Sequence, residues 1–209
     1  MVPSGEAILC IHPSTHLSGT VRSAQVAAQD FPDADIRVID TKTVSTPLGS
    51  MVQLAAAWAW EGASADEIVA RLDDMIPRCR IYFLVDTLEY LARGGRIGGA
   101  QALLGSILQI KPILTFADGQ VQPFEKERTK KRALVRLQEI VAEEAARGAD
   151  AHLTVMHSAV PDEATALAVE FRAALGLEDV LIMDLVPAIV THAGPGALAV
   201  GFFTPPTRK

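Results

Sequence analysis

A hydroxyl-rich segment, HPSTHLSGT at residues 12–20, has the residue types to bind an anion. Ser14, Thr15, Ser18 and Thr20 place four hydroxyl groups between an apolar segment predicted as a strand and a segment predicted as a helix. Backbone N–H groups at a helix N-terminus are unpaired, and the helix dipole there favours negative charge. A carboxylate or phosphate could therefore dock in this loop, although any single hydroxyl could equally serve only as a helix cap.

Two histidines in the same segment, His12 and His16, have the i, i+4 spacing that on a helix would direct both imidazoles at one metal ion. Here they flank a predicted strand–loop junction instead. No third His or Cys ligand and no HExxH pattern accompanies them. We therefore expect no metal site.

A further histidine, His192, lies between an apolar segment that we interpret as a strand and a Gly-Pro-Gly turn. The bare backbone of such a turn would leave the ring edge open to a ligand. A Ser-His-Asp hydrolase would combine this ring with Ser14 or Ser18 and with Asp86 or Asp40. The sequence contains no GxSxG nucleophile elbow, which argues against that activity.

Two other segments are candidates for contacts with phosphate or with a partner. The glycine-rich YLARGGRIGG at residues 90–99 lacks the GxxxxGK[ST] and GxGxxG patterns, so we interpret it as a helix end at which Arg96 ties down a loop. The segment KERTKKRA at residues 126–133 is a concentrated basic cluster. It is either a solvated helix face or a site for a phosphate or a protein partner.

The composition is that of a folded, acidic protein. Of the 209 residues 49 % are apolar and 21 % charged, and the net charge is -6. Binding to nucleic acid requires a concentrated basic surface, so we expect no nucleic-acid partner. No segment approaches the roughly 18 apolar residues of a membrane span, and neither a signal peptide nor a disulfide framework is apparent. We therefore expect a cytoplasmic protein without integral membrane contact.

The predicted secondary structure that must position these residues changes near residue 78. Strands alternate with helices before this point, and the sequence is rich in strands after it. The first half is predicted to contain two buried strands (7–11 and 36–40), a helix between them (20–30), a loop at 45–50, an alanine-rich helix and an amphipathic helix (66–76). The second half is predicted to contain a hairpin around Asp118-Gly119, helices at 129–147 and 162–175, and the strands HLTVMH, VLIMDL and ALAVGFF.

This order predicts a two-domain α/β fold. We expect an N-terminal parallel α/β domain at residues 1–78 and a C-terminal α/β domain with a mixed sheet at residues 79–209. Parallel sheets are normally covered on both faces and built from more than two strands. The first domain is therefore expected to be incomplete.

Taken together, these segments resemble the DegV family of fatty-acid-binding proteins. The resemblance runs through HLSGT, VID, FLVDTLEYLARGGRIGG, LLGSILQIKPILTFADGQVQPFEKERTKKRAL and THAGPGALAVGFF, and so spans nearly the whole chain. Its most specific parts are the LEYLARGGRI and LGSILQIKPIL block and the H-x-GPG ending. The Asp-Ser-Thr strand and the Thr-Ser-Gln-Pro-Ser segment of the family are not found in this sequence. This agrees with an incomplete first domain.

The resemblance implies a carrier without catalytic residues or cofactors. A long-chain fatty acid would lie in a hydrophobic tunnel between two domains, and a separate ATP-using fatty acid kinase would convert its carboxylate to an acyl phosphate. An enzyme using the same site, either a Ser/His hydrolase or a phosphotransferase, and a chain unable to bind lipid alone are the alternatives.

The resemblance also implies residue roles. Thr15 and His192 stand at the positions of carboxylate ligands, and the hydroxyls of Ser14 and Ser18 lie beside Thr15 in the same loop. Arg128 matches the arginine of the family's K-x-R segment, near the domain interface or the kinase contact. Arg96 is a second candidate for such a contact.

Overall fold

The computed structural model describes residues 6–105 and 110–206, and residues 106–109 of the LGSILQIKPIL motif lie outside the described residues. The described strands are β1 (Ile8–His12), β2 (Ile36–Asp40), β3 (Cys79–Leu84), β4 (Lys111–Ala117), β5 (Gln120–Glu127), β6 (Thr154–His157), β7 (Leu181–Asp184) and β8 (Leu198–Phe203). The described α-helices are α1 (Thr20–Ala28), α2 (Ser45–Trp60), α3 (Ala65–Met75), α4 (Glu89–Arg93), α5 (Lys130–Glu144), α6 (Pro161–Leu175) and α7 (Pro187–Ala193).

The first two strands form a separate parallel pair. β1 and β2 pair in register from Ile8 opposite Ile36 to His12 opposite Asp40. Both strands and the helix that connects them were predicted from the sequence, and their parallel pairing is confirmed. The loop with four hydroxyls follows β1, so it leaves the carboxyl end of this pair.

The remaining strands form a six-stranded sheet in the order β5-β4-β3-β8-β6-β7. β6 and β7 are parallel, whereas the other neighbouring pairs are antiparallel, so the predicted mixed sheet is confirmed. The predicted hairpin is β4–β5. Its two turn residues, Asp118 and Gly119, have φ of 49° and 78°, the positive values that a tight hairpin turn requires.

Helices cover both faces of this sheet. On one face, side chains from the strands such as Val155 and Val200 pack with α5 and α6 in a large buried core. On the other face, alternate residues such as Met156 and Ala199 pack with residues from α4 and α7. This second face carries the candidate functional site described below.

Helices α2 and α3 connect the two sheets. Met51 and Leu72 from these helices share one buried cluster with Ile39 of β2 and Phe203 of β8. Residues on both sides of the predicted boundary at 78 therefore contribute to a common core. The division into domains at residues 1–78 and 79–209 stays a prediction.

Two local predictions were wrong. The loop expected at 45–50 is the first part of α2, which begins at Ser45. Pro47 is tolerated in the first turn because the N–H groups there have no partner within the helix. The apolar segment before His192, expected to be a strand, is α7, whose Pro187 start and Gly194 end are standard helix boundary signals.

Candidate functional site

A cavity of about 340 Å³ lies on the sheet face that packs with α4 and α7. Its apolar lining residues are Pro13, Leu17, Val44, Ile81, Phe83, Leu91, Phe116, Val121, Met156, Leu185, Ala188, Ile189, Ala193, Ala197 and Ala199. Its polar lining residues are Ser18, Ser45, Arg96 and His192. A mostly apolar cavity with a few polar groups is typical of a small-molecule site, here for a ligand with one polar end.

His192 is a half-buried polar residue of this cavity, near the end of α7. Its Nδ1 atom is buried and has no hydrogen-bond partner among the described residues. A buried polar atom without a partner is uncommon in native proteins. This atom packs against Gly94, so a ligand in the cavity would meet another part of the ring.

Gly94, at the end of α4, makes room for this ring. A Cβ atom at this position would lie 1.9 Å from Nδ1 of His192 and 2.7 Å from its Cε1. Gly194 has the same relation to the Tyr90 ring, with a φ of 77° and an ideal Cβ position 2.3 Å from Cδ2. Gly94 of the glycine-rich segment and Gly194 of the Gly-Pro-Gly turn thus allow α4 and α7 to approach each other closely.

Arg96 is the cation of the cavity wall. Its Nε donates to the carbonyl oxygen of Leu17 at 3.0 Å, and its Nη1 donates to that of Gly94 at 2.7 Å. These bonds confirm the interpretation of Arg96 as a residue that ties down a loop. No carboxylate within the described ranges forms an ion pair with it, so its charge is available to an anionic ligand.

The hydroxyl groups of the loop after β1 point to different partners. Ser18 lines the cavity, and its hydroxyl donates to the Thr20 hydroxyl at 3.2 Å. Ser14 is fully buried and donates to the carbonyl oxygen of Gly119 at 2.7 Å, which joins the loop to the β4–β5 turn. The exposed Thr15 donates to Oδ2 of Asp40 at 2.8 Å and is not a lining residue of the cavity.

The structure therefore brings His192, Ser18 and Arg96 to one cavity. Ser14 and Thr15 do not line this cavity, and their hydroxyls donate hydrogen bonds to other residues. The assignment of Thr15 as a carboxylate ligand stays a prediction. Sequence reasoning missed the place of Arg96 in the cavity wall. The signal for it was the pair of glycines before Arg96, which ends α4 and turns the chain back toward the cavity.

The basic segment lies outside the cavity lining. Arg128 is exposed, and no ion pair is found for it within the described part of the chain; the same holds for Lys126, Lys131 and Arg132. Lys130 differs, because its Nζ lies 2.8 Å from a Glu163 oxygen and 3.9 Å from one of Asp86.

No metal site is found in the part of the chain that the structure describes. In residues 6–105 and 110–206 no group of three or more His, Cys, Asp or Glu could hold a metal ion. Cys10 and Cys79 are both free, and burial raises the pKa of the Cys79 thiol to about 11, so this group is a poor nucleophile. Among the described helices, none combines the length and the apolar composition of a membrane span.

Comparison with known proteins identifies close similarities over nearly the whole chain. A family model described as "uncharacterised protein, DegV family" matches residues 2–205. A DegV domain-containing protein from Streptomyces coelicolor is 43 % identical over 196 residues, which are 93 % of this chain and 69 % of that protein.

Two solved structures are similar in fold. One is a fatty acid binding DegV family protein from Streptococcus agalactiae, with a TM-score of 0.86 and 34 % identity over 96 % of this chain and 71 % of that chain. The other, from Thermus thermophilus, is presented as "fatty acid binding of a DegV family protein" and has a TM-score of 0.86 and 36 % identity over 97 % of this chain and 72 % of that chain.

Proposed function

Because the chain belongs to the DegV family, we propose that it binds a long-chain fatty acid in the cavity and presents the carboxylate to a partner fatty acid kinase. The main support is the cavity itself, whose walls are hydrocarbon except for Ser18, Ser45, Arg96 and His192. Related proteins from S. agalactiae and T. thermophilus are described as binding fatty acids. The proposal assigns no chemical step to this chain.

The alkyl tail would supply most of the affinity. Burial of one methylene group contributes about 0.8 kcal/mol, so a long acyl chain offers on the order of 10 kcal/mol before the cost of ordering it. Phe83 and Phe116, whose rings stack with centroids 5.4 Å apart, provide rigid apolar surface for such a chain, as does Ala199 of β8.

The carboxylate would set the orientation of the ligand. A buried carboxylate costs several kcal/mol unless it is paired, whereas each hydrogen bond to a charged group returns roughly 1.5 to 3 kcal/mol. We infer that His192 and Ser18 donate hydrogen bonds to it, Ser18 after its hydroxyl turns away from Thr20, and that Arg96 balances its charge. Thr15 would join them only after its hydroxyl leaves Asp40.

The transfer step would take place on the partner. One carboxylate oxygen would attack the γ-phosphorus of ATP held by the kinase, forming the acyl phosphate and releasing ADP. The unpaired cations Lys126, Arg128, Lys131 and Arg132 suit contact with an acidic surface on that kinase.

The lipid-binding part of the proposal is tested by extracting the purified protein with organic solvent and identifying released fatty acids by mass spectrometry. Palmitate is then titrated into delipidated protein by calorimetry, with His192→Ala for comparison. We expect copurified fatty acid, saturable one-to-one binding, and weaker binding by the variant. A folded protein that neither carries fatty acid nor takes it up contradicts the proposal.

The partner contact is tested by ATP-dependent acyl phosphate formation with a candidate kinase and loaded carrier. Arg128→Glu should reduce the rate at least tenfold while fatty acid binding is unchanged, because the side chain is exposed and outside the cavity lining. Arg22→Glu makes the same charge change at an exposed position of α1 and serves as the control. Equal rates for the two variants would exclude the basic segment as the contact.

A further inference from the structure

We propose that Met156 sets the length of acyl chain that the cavity accepts, because two hydroxyl groups hold its side chain in place as a fixed wall. This inference rests on the proposed function, since it concerns the tail of the same ligand. Met156 lies on β6, lines the cavity and is 1 % exposed.

The Met156 sulfur accepts two hydrogen bonds. The hydroxyls of Ser45 and Thr46, at the start of α2, each donate to Sδ at 3.1 Å. A methionine side chain ordinarily adapts to its surroundings by rotation about its three flexible bonds. Two donors from one rigid helix end restrict this rotation. The wall therefore has a defined position, which a length limit requires.

The backbone at Ser45 supports this assignment. Ser45 has a φ of 62°, a left-handed conformation that is unfavourable for a residue with a Cβ atom. Such strain persists when the surrounding structure holds it in place. Here the strained residue is one that brings a hydroxyl to the Met156 sulfur.

The space behind Met156 is already filled. The Met156 methyl carbon lies 3.1 Å from the ideal Cβ position of Gly201, and Pro47 of α2 lies 2.7 Å from the same position. On this side Pro47 and the backbone of Gly201 therefore lie close to the thioether, which supports its role as a wall. Removing the side chain would open the volume of its three outer heavy atoms to the ligand.

The residues around Met156 indicate that it contacts the alkyl tail of the fatty acid and not the carboxylate. The sheet neighbour Ala199 and the lining residues Val44 and Leu185 are uncharged, and the sulfur is already occupied by two donors. A carboxylate placed there would be buried without a charge partner, which is costly. Arg96 and His192, which we propose to bind the carboxylate, would then lie at the other end of the ligand.

The experiment measures the affinities of delipidated protein for a series of saturated fatty acids from lauric to arachidic acid. In Met156→Ala the preferred chain should be longer by about two carbons, and each added methylene that now fits should strengthen binding about fourfold. The double variant Ser45→Ala/Thr46→Ala should keep the preferred length but discriminate less sharply, because its thioether can move aside. Met183→Ala, at a 40 % exposed methionine of β7, is the matched control and should equal the wild type.

The outcomes separate this inference from the proposed function. If the wild type binds fatty acids and Met156→Ala binds them with the same preferred length, the role of Met156 is wrong and the carrier function stands. If the wild type binds none of the series, the carrier function itself fails and this inference with it. Should Met156→Ala not fold, Met156→Leu is measured instead and should shift the preference in the same direction by a smaller amount.

Discussion

Substituting Gly94 by alanine should weaken fatty acid binding by moving the His192 ring, without any direct contact between residue 94 and the ligand. The backbone permits the substitution, because Gly94 has a φ of -77°. The new Cβ would lie 1.9 Å from Nδ1 of His192. Since nonbonded heavy atoms separate by about 3.5 Å, the ring must move by about 1.5 Å or more.

A shift of that size removes a hydrogen bond from the ring to the carboxylate. Hydrogen bonds to charged groups contribute about 1.5 to 3 kcal/mol, so we expect binding to weaken about 10- to 150-fold. Displacement of a fluorescent fatty acid by palmitate measures this loss. Circular dichroism and urea unfolding check that the variant remains folded.

Gly99→Ala, in the 3-10 helix Gly98–Leu103 that follows this loop, is the control. Its Cβ would lie 1.8 Å from Oε1 of Gln122, the end of a flexible side chain that can turn away. We expect palmitate affinity close to that of the wild type. Similar losses in the two variants would mean that general disturbance of the loop, and not the ring position, causes the effect.

A double-mutant cycle with His192→Ala decides the mechanism. If Gly94 acts through the ring, Gly94→Ala should have little further effect once the ring is absent. A loss of the same size in the presence and absence of His192 would refute the reasoning.

Three further predictions concern the loop after β1 and the stability of the fold. Ser18→Ala should weaken palmitate binding more than Thr15→Ala in the same titration, because only Ser18 lines the cavity; the reverse order would favour Thr15 as the ligand. Ser14→Ala should lower the free energy of unfolding in urea by about 1 to 3 kcal/mol, because the carbonyl of Gly119 loses a buried donor, and an unchanged midpoint would contradict this. Burial lowers the pKa of His152 below its usual value near 6.5, so the stability this neutral ring provides is present above that pH and is lost as the pH falls through the folded-state pKa. Asparagine tolerates the φ of 42° at this position, so His152→Asn should fold. Its thermal midpoint should decrease less between pH 7 and 5 than that of the wild type, and equal decreases would contradict the assignment of this pH dependence to His152.

Much of the fold follows from local sequence patterns. The strand pair, the hairpin at Asp118-Gly119 and the long helices α5 and α6 combine clear periodicity with turn or cap residues, and the structure has them at the expected places. The two errors, at Ser45 and before His192, concern segments whose apolar residues fit strand, loop or helix about equally. Tertiary packing decides such segments, here through Pro47 against Gly201 and Gly94 against His192.

The candidate site was only partly accessible from the sequence. His192 stood out because a Gly-Pro-Gly turn follows it, and it lines the cavity. Which hydroxyl of residues 14–20 faces the cavity depends on the path of one loop, which Ser14 fixes by a bond to a residue 105 positions away. A local sequence pattern cannot predict a contact between residues so far apart in the chain. The hydrogen bond between Ser45 and Met156, which lie 111 positions apart, could not be predicted for the same reason.

The most direct test of the central claim is a crystal structure of the protein loaded with a long-chain fatty acid that carries bromine at its terminal carbon. Anomalous scattering locates the bromine, and the electron density locates the carboxylate. We expect the carboxylate within hydrogen-bond distance of His192 and Ser18, with the bromine against Met156 inside the cavity. A ligand bound outside this cavity, or one with its carboxylate at Met156 and its bromine at His192, would contradict it.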